Sequence, residues 1–253
     1  MTTRYINKSE MNDIIKVKKL TVAYEERPVL WNIGLNIQKG TLMAIVGPNG
    51  AGKSTLIKTM LNLIKPVTGE VLFYNERYNK VRDMISYVPQ RGSVDWDFPA
   101  TVYDVVEMGR YGKIGWLRRV RKIDRKKTEE AISKVGMEEF SGRQINRLSG
   151  GQQQRIFLAR ALAQEAEIYF MDEPFQGVDN KTEKSIVNIL KKLRDDGKTV
   201  IAVHHDLQTV KEYFDYVTFI NVSIIDSGHV NDVFTEENIE KTYKRRYMFD
   251  DMD

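Results

Sequence analysis

The sequence predicts an α/β fold with a mostly parallel sheet covered on both faces by helices. Three observations predict it. Short unbroken apolar runs occur at 42–46, 168–171 and 200–203, as expected of strands buried on both faces. Segments with apolar residues at helical spacing alternate with these runs. A glycine-rich turn at 47–55 joins the first run to the first such segment.

Residues 1–12 form a polar lead-in, with Met11 an alternative first residue. A strand-like stretch follows at 15–23. The run at 42–46 stops at Gly47 and Pro48. Over 53–64, Leu56, Ile57, Met60, Leu61 and Ile64 make one helical stripe ended by Pro66. Residues 71–73 and 85–88 are further short strands. Helical periodicity at 102–108 and 125–135 marks an insertion between Gln90 and Leu148. Over 182–193, Ile186, Val187, Leu190 and Leu193 share a face, and Gly197 is the helix stop.

Composition narrows the function. The chain has 253 residues, 42% hydrophobic and 29% charged, which is globular composition and excludes a disordered or fibrous chain. No cysteine is present, which removes disulfide scaffolds, thiol chemistry and Cys-based zinc sites. Only three histidines remain, two of them adjacent, so a dedicated transition-metal site is not expected. No apolar run approaches the ~18 residues of a membrane span, and a cytosolic protein is the expectation. The net charge is +4, a faint pointer to nucleic acid or a membrane surface.

Residues 47–55 read GPNGAGKST and fit the P-loop pattern, with a strand before and a helix after. Gly47, Pro48, Asn49, Gly50, Ala51 and Gly52 let the backbone curl so that amides face phosphate oxygens, and the new helix adds its positive end. Lys53 supplies a cation for the β- and γ-phosphates, Ser54 a hydroxyl for Mg²⁺, and Thr55 completes the motif. At 168–174 the chain reads IYFMDEP. A buried strand there delivers Asp172, a carboxylate suited to Mg²⁺, and then Glu173, which can polarise a water attacking the γ-phosphate. Residues 148–152 read LSGGQ: Ser149 stands at a helix start, and Gly150, Gly151 and Gln152 offer a second set of amides to an anion.

The P-loop, LSGGQ and IYFMDEP in this order resemble the ATPase subunit of an ATP-binding cassette (ABC) transporter over nearly the whole chain. The resemblance implies a RecA-like P-loop NTPase core, a small antiparallel β subdomain and an inserted α-helical subdomain. It implies an ATPase domain over 13–246 with the helical subdomain at 91–160. Tyr24 resembles the aromatic that stacks on adenine. Gln90 resembles the glutamine that reaches Mg²⁺ or the attacking water. Asp179 resembles the aspartate of the loop that crosses the dimer interface, and His205 the switch histidine that contacts the γ-phosphate. The implied cofactors are ATP and Mg²⁺, the metal held through Ser54, Gln90 and Asp172. The implied partner is a second copy, with each ATP between the P-loop of one chain and LSGGQ of the other. Two positions depart from the family pattern: His204 stands where a threonine is usual, and the dimer-crossing loop reads QGVD. Neither touches the catalytic carboxylates, so intact hydrolysis is expected.

The strings SVDWDFP (93–99), EPFQGVD (173–179) and VHHDL (203–207) resemble ATPases of metal-ion importers, most closely the manganese branch. This implies an integral membrane permease, a binding lipoprotein acting indirectly, and a place on the cytoplasmic face of the membrane, without nucleic acid. Trp96, Phe98 and Tyr103 are candidates for a groove that takes a permease helix. Importers of Zn²⁺, Fe²⁺ or a chelate are the near alternatives. A cassette ATPase acting on DNA or ribosomes fits less well, since the chain has neither tandem cassettes nor a long coiled-coil insertion. A kinase or GTP-binding switch has no use for LSGGQ. The charge is local: residues 110–127 hold nine basic and one acidic side chain, a net +8, so the rest of the chain carries −4. That segment is either a docking face for anionic lipid or permease loops or a solvated helix face.

Overall fold

The computed structural model describes residues 13–25, 27–94, 96–115 and 118–244. The expected lead-in at 1–12 and the last two residues of the expected domain, 245–246, lie outside the described residues. In chain order the first elements are β1 (Asp13–Tyr24), β2 (Arg27–Gln38), β3 (Leu42–Val46), α1 (Lys53–Met60), β4 (Thr68–Phe73) and α2 (Tyr78–Val81). Next come β5 (Ile85–Val88), α3 (Val102–Met108), α4 (Tyr111–Ile114), α5 (Lys122–Lys134), α6 (Gly150–Ala163) and β6 (Ile168–Asp172). The last are α7 (Asn180–Asp195), β7 (Thr199–Val203), α8 (Leu207–Tyr213), β8 (Tyr216–Asn221), β9 (Ser223–His229), α9 (Val230–Val233) and α10 (Glu236–Lys244). Residues 82–202 form one compact unit and the remainder of the chain another. Among the described residues, no helix is long and apolar enough to cross a membrane.

The first unit contains two sheets' worth of strands. One is an antiparallel sheet in the order β2-β1-β4. Alternation, reset by register shifts in the β1–β2 pairing, buries Ile15, Val17, Leu20 and Val22 along β1 and Leu30, Ile33, Leu35 and Ile37 along β2. In the other, all five residues of β3 are buried and pair in parallel with β8, Val46 opposite Phe219. Strand β9 then pairs antiparallel with β8. Helix α1 is shorter than its apolar stripe. Asn62 adopts a left-handed backbone (φ 57), and the amides of Leu63 and Ile64 turn back to the Lys58 carbonyl at 2.9 and 3.3 Å. Leu63 is thereby turned out to solvent, 63% exposed.

Strand β7 ends at two adjacent histidines with opposite fates. His204 is 2% exposed. Its Nε2 lies 2.7 Å from the Thr209 hydroxyl, and its ring packs against Phe214 and Tyr213. Burial, reinforced by the neighbouring His205, lowers its pKa from the ordinary 6.5 to about 4. His205 is exposed.

In the second unit, β5 and β6 pair in parallel, Ile85 opposite Ile168 and Val88 opposite Met171. Helices α3, α5 and α6 pack on one another through Val102, Val105, Val106, Ala131, Ile132 and Ile156. Helix α3 opens with a reciprocal cap in which Asp104 accepts from the Thr101 amide at 2.9 Å. The aromatics expected in a docking groove separate here. Trp96 is half-buried, stacks edge-on against Phe157 with centroids 4.9 Å apart and donates to the Arg91 carbonyl, so it packs within its own unit. Phe98 is 53% exposed. The basic segment also divides. Arg110 is buried and its guanidinium bridges Asp124 at 3.1 Å, Glu165 at 2.8 Å and the Ala163 carbonyl at 2.7 Å. Burial pushes the Asp124 carboxyl up, but hydrogen bonds from Arg110 and Arg121 outweigh it and hold the pKa below the usual carboxylate value.

Two measurements check this account. His204 is neutral in the fold and titrates near 6.5 when unfolded, so its contribution is complete above pH 6.5 and is lost as pH falls toward 4. Urea unfolding at pH 7.5 and pH 5 is expected to show about 2 kcal/mol more pH dependence in the native chain than in His204→Gln. Asp124→Ala strips the buried one of the two carboxylates that meet the Arg110 guanidinium and is expected to destabilise by about 3 kcal/mol, whereas Arg110→Met with Asp124→Leu recovers most of that loss.

Candidate functional site

In the first unit, β3 carries the chain straight into the glycine-rich turn. A Cβ on Gly47 would stand 2.0 Å from the Ile220 carbonyl oxygen, so only glycine lets the turn lie flush on the end of β8. Gly52, left-handed at φ 91, is the N-cap of α1, and a Cβ there would meet Leu30 Cδ2 at 2.5 Å. The turn folds on itself. Lys53 is 7% exposed, and its ammonium donates to the carbonyls of Gly47 at 2.7 Å and Pro48 at 2.8 Å. The Ala51 amide donates to the Pro48 carbonyl at 3.2 Å. Asn49 and Gly50 stand at the exposed tip, and Ser54 and Thr55 are half-buried in the first turn of α1, where backbone amides have no intrahelical acceptor. Tyr24, 51% exposed at the end of β1, presents an open aromatic face.

In the second unit, β6 delivers two carboxylates with different surroundings. Asp172, its last residue, is 1% exposed, and its charge adds to burial in raising the Tyr87 phenol to about 12. Glu173 is half-buried and adopts φ 55, a left-handed backbone that costs a non-glycine residue about 1 kcal/mol or more. Its carboxylate accepts from Gln90 Nε2 at 2.8 Å, and its carbonyl accepts from the Gln176 amide at 3.1 Å. The strained backbone and the Gln90 contact fix where that carboxylate sits. Of the predicted catalytic residues, Gln90 and Glu173 are therefore in direct contact, although 83 positions separate them.

Ser149 caps α6 as expected. Its hydroxyl accepts from the Gln152 amide at 3.4 Å, and the Gln152 side chain accepts from the Ser149 amide at 2.9 Å. Gly150 and Gly151 form the first turn. Asp179 is the N-cap of α7. One carboxylate oxygen accepts from the Lys181 and Thr182 amides at 3.0 Å, and the other from the Thr182 hydroxyl at 2.8 Å. Those bonds, the Thr182 amide first, hold its pKa below the usual carboxylate value.

One participant escaped the sequence reading. Arg91 Nε donates to Gln153 Oε1 at 3.0 Å, and its guanidinium covers Gly150 so closely that a Cβ there would lie 2.6 Å from Nη1. The LSGGQ helix start, which has no cation within its motif, thus acquires one from the residue after Gln90. The only signal in the sequence was that adjacency, because Gln153 is 62 positions away.

Of the residues expected at Mg²⁺, Ser54 in the first unit offers a hydroxyl, and Gln90 and Asp172 in the second offer a side-chain amide oxygen and a carboxylate. These hard oxygen donors suit Mg²⁺ rather than a soft transition metal.

Comparison with known proteins identifies the family. Residues 30–176 match the model of the ABC transporter family. The zinc transport system ATP-binding protein TroB of Treponema pallidum is 54% identical, over 92% of this chain and 87% of its own. The manganese transport system ATP-binding protein MntB of Bacillus subtilis is 53% identical, over 93% and 94%. Among solved structures, a metal-chelate type ABC transporter in an inward-facing conformation superposes with a TM-score of 0.80 at 27% identity, over 92% of this chain and 89% of the other. A dimeric ATP-binding cassette in a post-hydrolysis state bound to ADP and Pi superposes at 0.76 with 31% identity, over 85% and 98%. A glycine cradle backed onto a strand end, a carboxylate pair on a buried strand, a capped LSGGQ helix and these relatives lead to one conclusion: the chain belongs to the ABC transporter family and is its transport-coupled ATPase.

Proposed function

We propose that the chain energises import of a divalent transition metal, Mn²⁺ first, through a separate membrane permease. The names of its relatives, manganese and zinc transport ATP-binding proteins, support the metal class. The observation that carries the catalytic part is the Glu173 carboxylate fixed by its left-handed backbone and by Gln90 at 2.8 Å. Residues 47–55 hold the triphosphate through backbone amides and the Lys53 ammonium. Tyr24 stacks on the base. Glu173 accepts the proton of the attacking water, and the exposed His205 contacts the γ-phosphate. Ser54, Gln90 and Asp172 are the residues that would hold Mg²⁺, which would supply positive charge to offset that of the phosphates. Ser149, Gly150, Gly151 and Gln152 of one copy meet the nucleotide of the other, and Asp179 follows in the same interface. ATP thereby joins two copies, and hydrolysis releases them. The metal cargo passes through the permease after delivery by an extracytoplasmic lipoprotein, and this chain works at the cytoplasmic face.

Glu173→Gln tests the whole reading. It is expected to keep ATP binding, lower kcat by about 100-fold or more, and accumulate an ATP-dependent dimer on size exclusion. Cells carrying it are expected to lose uptake of labelled Mn²⁺. Normal Mn²⁺ uptake overturns the manganese reading, and loss of Zn²⁺ uptake alone transfers the assignment to zinc. Phe98 is the exposed aromatic suited to a permease helix. Phe98→Ala is expected to weaken co-purification with the permease while leaving basal ATPase activity and unfolding unchanged, whereas Trp96→Ala lowers stability first.

A further inference from the structure

The nine basic side chains of residues 110–127 differ in what they touch. Arg110 and Arg121 bind Asp124, Lys113 and Lys127 bind Glu165, and Lys126 binds Glu130. Among the described residues, Arg118, Arg119 and Arg125 make no ion pair, and all three are exposed. These three line one cleft of about 540 Å³, together with Tyr111, Ile114 and Val120. No acidic side chain lines it among the described residues. Ile114 is buried beneath and Tyr111 is 53% exposed at the edge, so the cleft has an apolar floor below a rim of unpaired guanidinium groups.

We propose that this cleft binds a phosphate group attached to an apolar or glycerol-like body, as in an anionic phospholipid headgroup. Guanidinium forks match phosphate oxygens two at a time, and three positive charges with no carboxylate among the described lining residues favour an anion. The apolar floor suits the carbon part of such a ligand and would be wasted on a bare ion. The cleft shares no residue with the proposed nucleotide site, so its test stands apart from the transport reading.

The full chain is sedimented with phosphatidylglycerol vesicles and with phosphatidylcholine vesicles at low ionic strength. Wild type is expected to bind only the first. R118A/R119A/R125A is expected to bind about 100-fold more weakly, from roughly fivefold per arginine. K39A/K184A/K192A removes equal charge from exposed lysines elsewhere and is expected to stay within twofold. Calorimetry with glycerol phosphate and with inorganic phosphate separates the sources. Soluble glycerol phosphate bound by wild type and lost in the arginine variant, with no vesicle binding, sustains the site with a soluble ligand. Equal weakening in both triple variants, or no binding of either probe, overturns it. All three arginines are exposed, and an unchanged unfolding midpoint and ATPase rate in R118A/R119A/R125A confirm that the variant is folded.

Discussion

The contact on which the nucleotide cradle depends is the approach of Gly47 to the Ile220 carbonyl. Strands β3 and β8 pair in parallel up to Val46 and Phe219, so the next residue of each must share the same narrow space. A side chain at 47 would fall 2.0 Å from that oxygen. Glycine there lets the loop leave the strand flat, and the rest follows from the loop's path. The carbonyls of Gly47 and Pro48 turn to receive the Lys53 ammonium, which is a polar anchor inside a buried turn. With the lysine pinned at its first residue, α1 starts directly from the same turn, and its positive end faces that turn. The motif is thus a packing solution as much as a binding one.

The ends of β6 and β7 solve a common problem in the same way. A strand buried at every position must hand over to groups that work in water. At the end of β6, Asp172 remains buried and Glu173 is turned out by its left-handed backbone. At the end of β7, His204 remains buried and neutral while His205 is exposed. In each pair the buried member secures the strand end and the outer member is presented. The departure from the usual threonine at 204 therefore changes how the strand end packs, not which histidine is offered. It also adds acid sensitivity, because a buried imidazole resists protonation while the unfolded one does not.

Much of this was legible in the sequence where local patterns decide. β3, β5 and α3 were read with their observed bounds, and the cap at Ser149 was where a serine before two glycines places it. The misreadings occur where distant residues decide. The stripe 56–64 continues helical spacing past the point where Asn62 turns left-handed and ends α1. Strands β2, β8 and β9 were not separated as strands; β2 alternates through Ile33, Leu35 and Ile37, but a register shift between Leu30 and Ile33 breaks the period. The local net charge of 110–127 hid the role of Arg110, whose partner Glu165 lies 55 positions away, outside any window that sums charge. The Gln90–Glu173 contact spans 83 positions and was reachable only through the family resemblance.

The LSGGQ helix start shows why the proposed association between two copies can be reversed. In this chain the Ser149 hydroxyl and the Gln152 side chain are engaged with each other's backbone amides. Such a cap is worth about 1 kcal/mol, whereas a hydrogen bond to a charged oxygen is worth about 1.5–3 kcal/mol. A γ-phosphate arriving from a second copy therefore exchanges a weak internal partner for a stronger external one. The gain at each bond is modest, and the helix keeps its cap when the anion leaves. Arg91 strengthens the exchange, since its guanidinium already covers Gly150 and is held by Gln153. Because Arg91 directly follows Gln90, a displacement of the Gln90 loop moves a charge at the LSGGQ helix as well. The residue that meets the Glu173 carboxylate and the cation at the LSGGQ helix are thus adjacent in the chain, so the proposed dimer has a covalent link between hydrolysis on one side and grip on the other.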